Sequence, residues 1–502
     1  MPRGSTTLRL ILGPMLCGLL LAASGIGEPT PAAAFSIGGP GRMGAFGLPA
    51  FGGGPRIAPR RGGGKVVGQP SADRGYPPRG DGRKPPIIGH GIGRDLGPPP
   101  PEQQGVGGGF NNGSGVPPRG ERRFVADEVI TEIASNATPQ AIDQIARRYD
   151  LTRLESQSFP LLGSTFYRWR IGGRRSVADV VGAIEDERAV IASAQPNYIF
   201  TLQEDAAKSP AAAPGDAAQY VLDKLQIEQA HHLALGKSIA VVAIDSEIDA
   251  AHPDLDGSVV KSFDALGGDE KPQQHGTAIA GAIAAHKTLL GVAPGARLLA
   301  ARAFADAPGG ASGSSFAIYK SIEWAADNGA RVVNMSFSGP FDPAMHRMLT
   351  AAYEKDLVLV AAAGNAGPSS PPLYPAADAS VIAVTATDSR DGLFKMANRG
   401  RYIAVAAPGV EVLALAPGVS YQVTTGTSVA AAHVSGVVAL LLERKPSLKP
   451  RDIRAILTTT AKPLGTADDR SDFGSGLVNA YRAVILLNDK PSGQSDGGQA
   501  KQ

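Results

Sequence analysis

Apolar residues change their spacing along this chain, and each change marks a different kind of structure. Between residues 121 and 204 two helical stretches alternate with strand-like runs. Thr138 and Pro139 suit an N-cap and a first helical position, and Ile142, Ile145, Ala146 and Tyr149 recur behind them at helical spacing. Ser176 with Asp179 opens a second helix carrying Val177, Val180, Val181 and Ile184. Strand-like runs fall at 125–133, 151–158, 164–171 and 197–202. The order strand, helix, strand, strand, helix, strand predicts a small α+β domain of ferredoxin-like, split βαβ type. An Ala/Pro/Gly/Asp stretch at 205–218 follows, and the pattern then becomes one of short strands that are apolar throughout, at 239–244, 297–303, 332–336, 357–363 and 381–387. Helical patterns at 315–328 and 343–355 lie between them. Such alternation predicts an α/β fold in which helices cover both faces of a parallel sheet, with chemistry at the carboxyl ends of the strands.

Residues 36–120 show no apolar periodicity. They hold 26 of the chain's 63 glycines and 15 of its 40 prolines, with only four aromatic residues. A segment of that composition cannot bury enough to offset its ordering entropy, so 35–120 is expected to be a disordered Gly/Pro/Arg-rich arm. It also carries eleven Lys or Arg against four Asp or Glu, so the arm outweighs a mildly acidic remainder to leave the whole chain's formal net charge at +3. That balance argues against nucleic acid as a partner of the folded domains. Two readings of the arm remain open: a solvated spacer, or a basic tether to an anionic envelope surface.

At the N-terminus Arg3 and Arg9 precede an apolar stretch at 10–23, interrupted by Gly13, Pro14 and Gly18, and the small residues Ala32, Ala33 and Ala34 follow. This is the pattern of a secretory signal peptide over 1–34, the alternative being an uncleaved signal anchor, and it predicts an exported protein, secreted or periplasmic. The single cysteine, Cys17, falls inside the apolar stretch. A mature chain without cysteine excludes disulfides, thiolate nucleophiles and thiolate-bound zinc.

Four residues in the α/β part have the chemical types of an acyl-transfer site. Asp245 follows the apolar strand at 239–244; His275 opens HGTAIAG; Asn365 closes the run LVLVAAAGN; Ser428 starts the apolar helix in GTSVAAAHVSG. Singly, each has an ordinary reading as a turn or cap residue. His433 lies five residues beyond Ser428, about 140° around the helix, so it reads as a packed histidine and not as a base.

Together the four local sequences resemble those of the subtilisin-like serine proteases, the subtilase family. The carrying segments are VVAIDSEID around Asp245, HGTAIAG from His275, VAAAGNAGP around Asn365 and GTSVAAAHVSG around Ser428, in the order Asp, His, Ser. HPDL at 252–255, GVAPGARLLAARAF at 291–304, WAADNGARVVNMSF at 324–337, YPA at 374–376, ANRG at 397–400 and DFGSGLVNAYRAV at 472–484 agree with it. The resemblance implies a subtilisin-like parallel sheet over 220–487 and hydrolysis of protein or peptide substrates through an acyl-enzyme. Ser428 would be the nucleophile, His275 the base, Asp245 its orienting carboxylate and Asn365 an oxyanion donor. It also implies that Ser336, Phe337, Ser338, Ala362 and Gly364 line the substrate site, where the absence of an acid suggests an apolar side chain before the scissile bond. Residues 121–204 are similar to the inhibitor-type propeptide of such enzymes. The chain then reads as a self-processing zymogen whose propeptide is its own inhibitor, with a maturation site in a linker at 205–219 and a polar tail at 488–502. No cofactor is required and no catalytic metal is expected; calcium is common in the family, but spacing maps no ligand set here. The sequence departs from the family at Glu247, where Gly is usual, at Ala278, often His, at Val429, usually Met, and at Ala432, usually Pro. These departures keep open a second reading, a catalytically weak subtilase fold retained as a peptide-binding or envelope-associated module.

Overall fold

Among the described residues four antiparallel strands and two helices come first: β1 (Phe124–Ile133), α1 (Pro139–Arg148), β2 (Leu151–Phe159), β3 (Ser164–Ile171), α2 (Val177–Ile184) and β4 (Ile191–Leu202). The computed structural model describes residues 114–202, 208–211, 219–466 and 469–487. The expected signal peptide, the arm up to residue 113 and the polar tail lie outside the described residues. Thr138 Oγ1 accepts the Ala141 N–H and Ser176 Oγ the Asp179 N–H, so both helices start on the caps read from the sequence. The strand order is β2-β3-β1-β4. Alternation along the strands sends Val129, Trp169 and Ile171 to one face, under α1 and α2, and Ile130, Phe159 and Phe166 to the other. Residues 114–120, which composition assigns to the structureless arm, are ordered. Ser114 Oγ donates to the Glu185 carboxylate at 2.7 Å, the Gly115 N–H also points to it, and Val116 packs against the α1/α2 core. A single apolar side chain and one carboxylate partner are enough to seat the end of the arm.

A short strand, β5 (Lys208–Ala211), lies in what the sequence presents as linker, followed by α3 (Tyr220–Leu225) and α4 (Ile227–His231). The main body then runs β6 (Ala240–Asp245), β7 (Val259–Asp264), α5 (Gln274–Ala284), β8 (Arg297–Arg302), β9 (Ser312–Ser314), α6 (Ser315–Asp327), β10 (Val332–Met335), β11 (Phe337–Ser338) and α7 (Pro343–Glu354). It continues with β12 (Val358–Ala362), β13 (Val381–Thr387), β14 (Ile403–Pro408), β15 (Val412–Ala416), β16 (Ser420–Thr424), α8 (Thr427–Arg444), α9 (Pro450–Thr460), α10 (Arg470–Phe473) and α11 (Ala480–Ile485). Seven of these strands form a parallel sheet in the order β14-β13-β12-β10-β6-β8-β7. Along β6, Val241 and Ala243 face the core built with α5 and α8, and Val242 and Ile244 the core built with α6 and α7. The α/β expectation of a parallel sheet covered on both faces is thus what the chain forms. The outer face of the β2-β3-β1-β4 sheet, with Ile130, Phe159, Phe166, Tyr198 and Phe200, joins the α6/α7 core, so both of its faces are buried.

Helix α8 is buried from Thr427 to Leu442. Its neighbours approach so closely that a Cβ on Gly436 would lie 2.6 Å from Val292 Cβ. No described helix is long and apolar enough to cross a membrane.

His433, fully inside this packing, donates from Nδ1 to the Pro408 carbonyl at 2.9 Å, and burial pushes its pKa down to about 4. The unfolded chain binds a proton there near pH 6.5, the native chain only near 4, so this residue's contribution to stability is complete above about pH 6.5 and is lost as pH falls towards 4. His433→Gln, which keeps a donor for Pro408, is expected to lower the thermal midpoint at pH 7.5 but to flatten its decline between pH 6.5 and pH 4.5; an unchanged decline in a melting series would refute the assignment.

Candidate active site

Asp245 is the last residue of β6, at the carboxyl end of a central strand, and is fully buried. Its Oδ1 accepts the Ser246 N–H at 2.7 Å and Nδ1–H of His275 at 2.7 Å. Because this oxygen acts as an acceptor, the contact places the imidazole proton on Nδ1 and makes Nε2 the accepting nitrogen. His275 is the second residue of α5. The helix can begin there only because Gly276 follows: its N–H donates to Ser246 Oγ at 3.1 Å, and a Cβ on it would stand 2.5 Å from the Ser246 carbonyl oxygen. The glycine of the HGT sequence therefore seats the histidine against the strand that carries the aspartate.

Helix α5 packs against α8, whose second residue is Ser428. A buried polar chain fixes that end of α8 to the sheet. Ser435 Oγ donates to Asn334 Oδ1 at 2.9 Å, Asn334 Nδ2 to Ser336 Oγ at 2.9 Å, and Ser336 Oγ to the Ser428 carbonyl at 3.0 Å. Ser428 Oγ in turn donates to the Ser336 carbonyl at 3.2 Å. The positive end of the α8 dipole lies beneath this hydroxyl. Asn365 follows β12 and is held by its oxygen: Thr427 N–H and Oγ1 donate to Oδ1 at 3.1 and 2.8 Å. Thr427 Oγ1 also accepts the Gly364 N–H at 3.1 Å. With Oδ1 so engaged, the donor side of the amide is turned the other way. Asn334, Thr427 and Ser435 carry this arrangement and were not singled out from the sequence; the signal available was only that polar residues sit at positions where periodicity demands burial.

Of the expected substrate-site residues, Phe337 and Ser338 pair with the chain's own β4. Thr201 pairs with Ser312 of β9 and Ser338 of β11, Leu202 pairs with Phe337, and the Leu202 N–H donates to the Ala311 carbonyl at 3.0 Å. Phe200 fills the space beside Gly339, its ring 5.9 Å from that of Phe337. Ser336, one residue before β11, is the residue bonded to Ser428. Ala362 ends β12 and Gly364 turns the chain at φ +106°, opposite Thr427.

Glu247 does not join the Asp245–His275 pair. It lies 3.6 Å from Arg302, whose nearly buried guanidinium also donates to Asp264 at 2.7 Å and approaches Glu270 at 3.9 Å. Burial raises the Glu247 carboxyl and Arg302 opposes the rise. Burial likewise acts to raise Asp264, but the bond from Arg302 and the N–H groups of Leu266 and Gly267 prevail and hold it below the ordinary carboxylate range. Among the described residues no group of three or more His, Cys, Asp or Glu side chains could hold a metal ion.

The sequence profile described as the subtilase family matches residues 236–476. The chain is 36% identical over 275 residues to thermitase of Thermoactinomyces vulgaris, covering 53% of this chain and 95% of thermitase. It is 36% identical over 319 residues to a thermophilic serine proteinase of Bacillus sp. (strain AK1), covering 62% of this chain and 76% of that one. The crystal structure of fervidolysin from Fervidobacterium pennivorans, a keratinolytic enzyme related to subtilisin, superimposes with a TM-score of 0.62 at 26% identity, over 72% of this chain and 61% of that one.

Arg302 is the counter-charge for its surrounding carboxylates. Arg302→Met is expected to cost about 2 kcal/mol of stability at pH 7.5, with the deficit shrinking below about pH 4 as those carboxylates protonate. Denaturant midpoints of the two chains across that pH range check it; a pH-independent deficit would mean that only packing was lost.

Proposed function

Since the chain belongs to the subtilase family and is a subtilisin-like serine endopeptidase, we propose that its hydrolysis runs through Asp245, His275 and Ser428. The observation that carries this is the buried 2.7 Å contact between Asp245 Oδ1 and His275 Nδ1, on a helix that packs against the one bearing Ser428. Ser428 Oγ bonds to the peptide carbonyl carbon while its proton passes to His275 Nε2, and Asp245 stabilises the imidazolium. The oxyanion takes hydrogen bonds from the Asn365 amide and the Ser428 N–H. The C–N bond breaks as His275 returns the proton to the amine, leaving an ester on Ser428. Water then loses a proton to His275 and adds to the ester carbonyl, and the C–Oγ bond breaks with the proton restored to Ser428. The apolar and small residues Phe337, Ala362 and Gly364, with Ser336 and Ser338 and no acid, support an apolar side chain before the scissile bond.

The same reading makes residues 121–204 an inhibitor-type propeptide. It is supported by the insertion of β4 between β9 and β11, which ends at Leu202 beside the segment bonded to Ser428. An exported zymogen would cut its own linker and discard propeptide and arm together.

Purified full-length Ser428→Ala is expected to stay uncut and to leave casein intact, while the parent chain matures, degrades casein and loses both activities to a sulfonyl fluoride. Maturation of purified Ser428→Ala at the parental rate would exclude self-cleavage. Thr427→Val removes the hydroxyl that anchors Asn365 and is expected to lower kcat about tenfold with KM nearly unchanged; a change confined to KM would place Thr427 in binding instead.

A further inference from the structure

Parallel pairing sets Asp245 of β6 directly opposite Arg302 of β8. Alternation puts both side chains on the face of the sheet that α5 and α8 cover, since Val241 and Ala243 precede the one in that core, and Leu298 and Ala300 the other. Neighbouring strands lie about 5 Å apart, so a nearly buried guanidinium stands beside the carboxylate that orients His275. The same guanidinium holds the stretch that leads into α5. It donates to Asp264 at 2.7 Å and to the Gly267 carbonyl at 2.8 Å and reaches Glu270 at 3.9 Å, while the Ala265 N–H donates to the Arg302 carbonyl at 2.9 Å. At the far end of this stretch the Gln273 N–H donates to the Glu247 carbonyl at 2.8 Å. Arg302 and Glu247, whose side chains lie 3.6 Å apart, thus grip both ends of the approach to His275.

These groups line an open depression of about 570 Å³ whose charged members are Glu247, Asp264, Asp269, Glu270, Lys271 and Arg302, four carboxylates against two cations. The other titratable groups packed about α5 do not line it. Asp249 accepts the Ala251 and Gly418 N–H groups, Asp254 those of Thr288 and Leu289, His252 lies against the Ser420 carbonyl, and burial keeps His433 neutral. A depression of net negative charge favours the imidazolium that His275 becomes when it takes the serine proton, and Arg302 limits that effect. Burial raises the Glu247 carboxyl, whereas the burial of Asp264 is outweighed by its bonds from Arg302 and two N–H groups. As pH falls, Glu247 therefore gives up its charge before Asp264 does.

We propose that Glu247 and Arg302 are positioning residues for His275, which together hold the segment that carries it and set the pH above which it is a competent base. Neither touches the substrate or the reacting atoms; both act through the field and the backbone around the histidine. The Glu247 carboxylate strengthens the base, and the Arg302 guanidinium keeps it from being so strong that it stays protonated at working pH. Glu247 stands where the family usually has Gly, so this setting belongs to this chain. The proposal rests on the Asp245, His275 and Ser428 reading above and adds to it the groups that fix its pH range.

The test follows the acid limb of kcat/KM on an uncharged quenched peptide, with enzyme matured from the full chain. Glu247→Gln is expected to move the midpoint of that limb down by about half a pH unit and Arg302→Met to move it up by about as much, both shifts shrinking in about 1 M NaCl. Arg302→Lys, which keeps the charge, is expected to return the midpoint to the parental value. Opposite shifts are what a charge effect requires, because slackened packing moves both variants the same way or lowers only the plateau. A midpoint that stays in place in Glu247→Gln, or that moves the same way in both variants, overturns the proposal and leaves the triad reading intact. If Arg302→Met does not fold, the Glu247→Gln midpoint decides alone. Full-length His275→Ala that still matures and degrades casein overturns the triad reading, and the role of the pair with it.

Discussion

Burying an eighteen-residue helix on every side is the constraint from which the site geometry follows. Helix α8 is apolar around its whole circumference, so it must lie between the sheet, α5 and the chain ends, and only small residues allow so many neighbours to approach. Ala430, Ala431, Ala432 and Gly436 meet that demand, and Gly281 of α5 meets it against Leu415. A helix enclosed in this way cannot slide or turn without opening voids, and its N-terminal serine inherits that rigidity. The few polar side chains it carries inward, Thr427, Ser428, His433 and Ser435, each have a named partner, which is what burial requires of them.

Strands were legible where both faces are buried. β6, β8, β10, β12 and β13 are apolar at every position, and such a run has little else it can form. β7, at the sheet edge with Lys261 and Val260 towards solvent, has no such run. β9 and β11 have three residues and two, and they are strands only because β4 lies between them, a pairing over more than a hundred residues that no local window contains. β4 itself starts at Ile191, six residues before its apolar run suggests, because Pro196 reads as a break although β1 accommodates it opposite Val129. β5 has no strand signal at all.

The candidate site divides in the same way. Asp245, His275, Asn365 and Ser428 stand out because their local sequences are distinctive, and the fold sets Asp245 against His275 and Asn365 against the first turn of α8. The roles given to them remain the proposal. Thr427, Asn334 and Ser435, which hold them in place, are common residues whose meaning comes from partners dozens of positions away. Glu247 departs from the family pattern, and its charge is taken up by Arg302, a residue that sequence spacing alone places in an unremarkable strand.

The β2-β3-β1-β4 sheet has a further consequence through its second face. Ile130, Phe159 and Phe166 are covered there by α6 and α7, elements that lie beyond the proposed cut. A fragment parted from them carries a bare aromatic surface into water, where it gains most by unfolding or by being digested. On the zymogen reading, activation is then a ratchet: the inhibitor that leaves is consumed by the enzyme it has released, and the dissociation equilibrium has no return path.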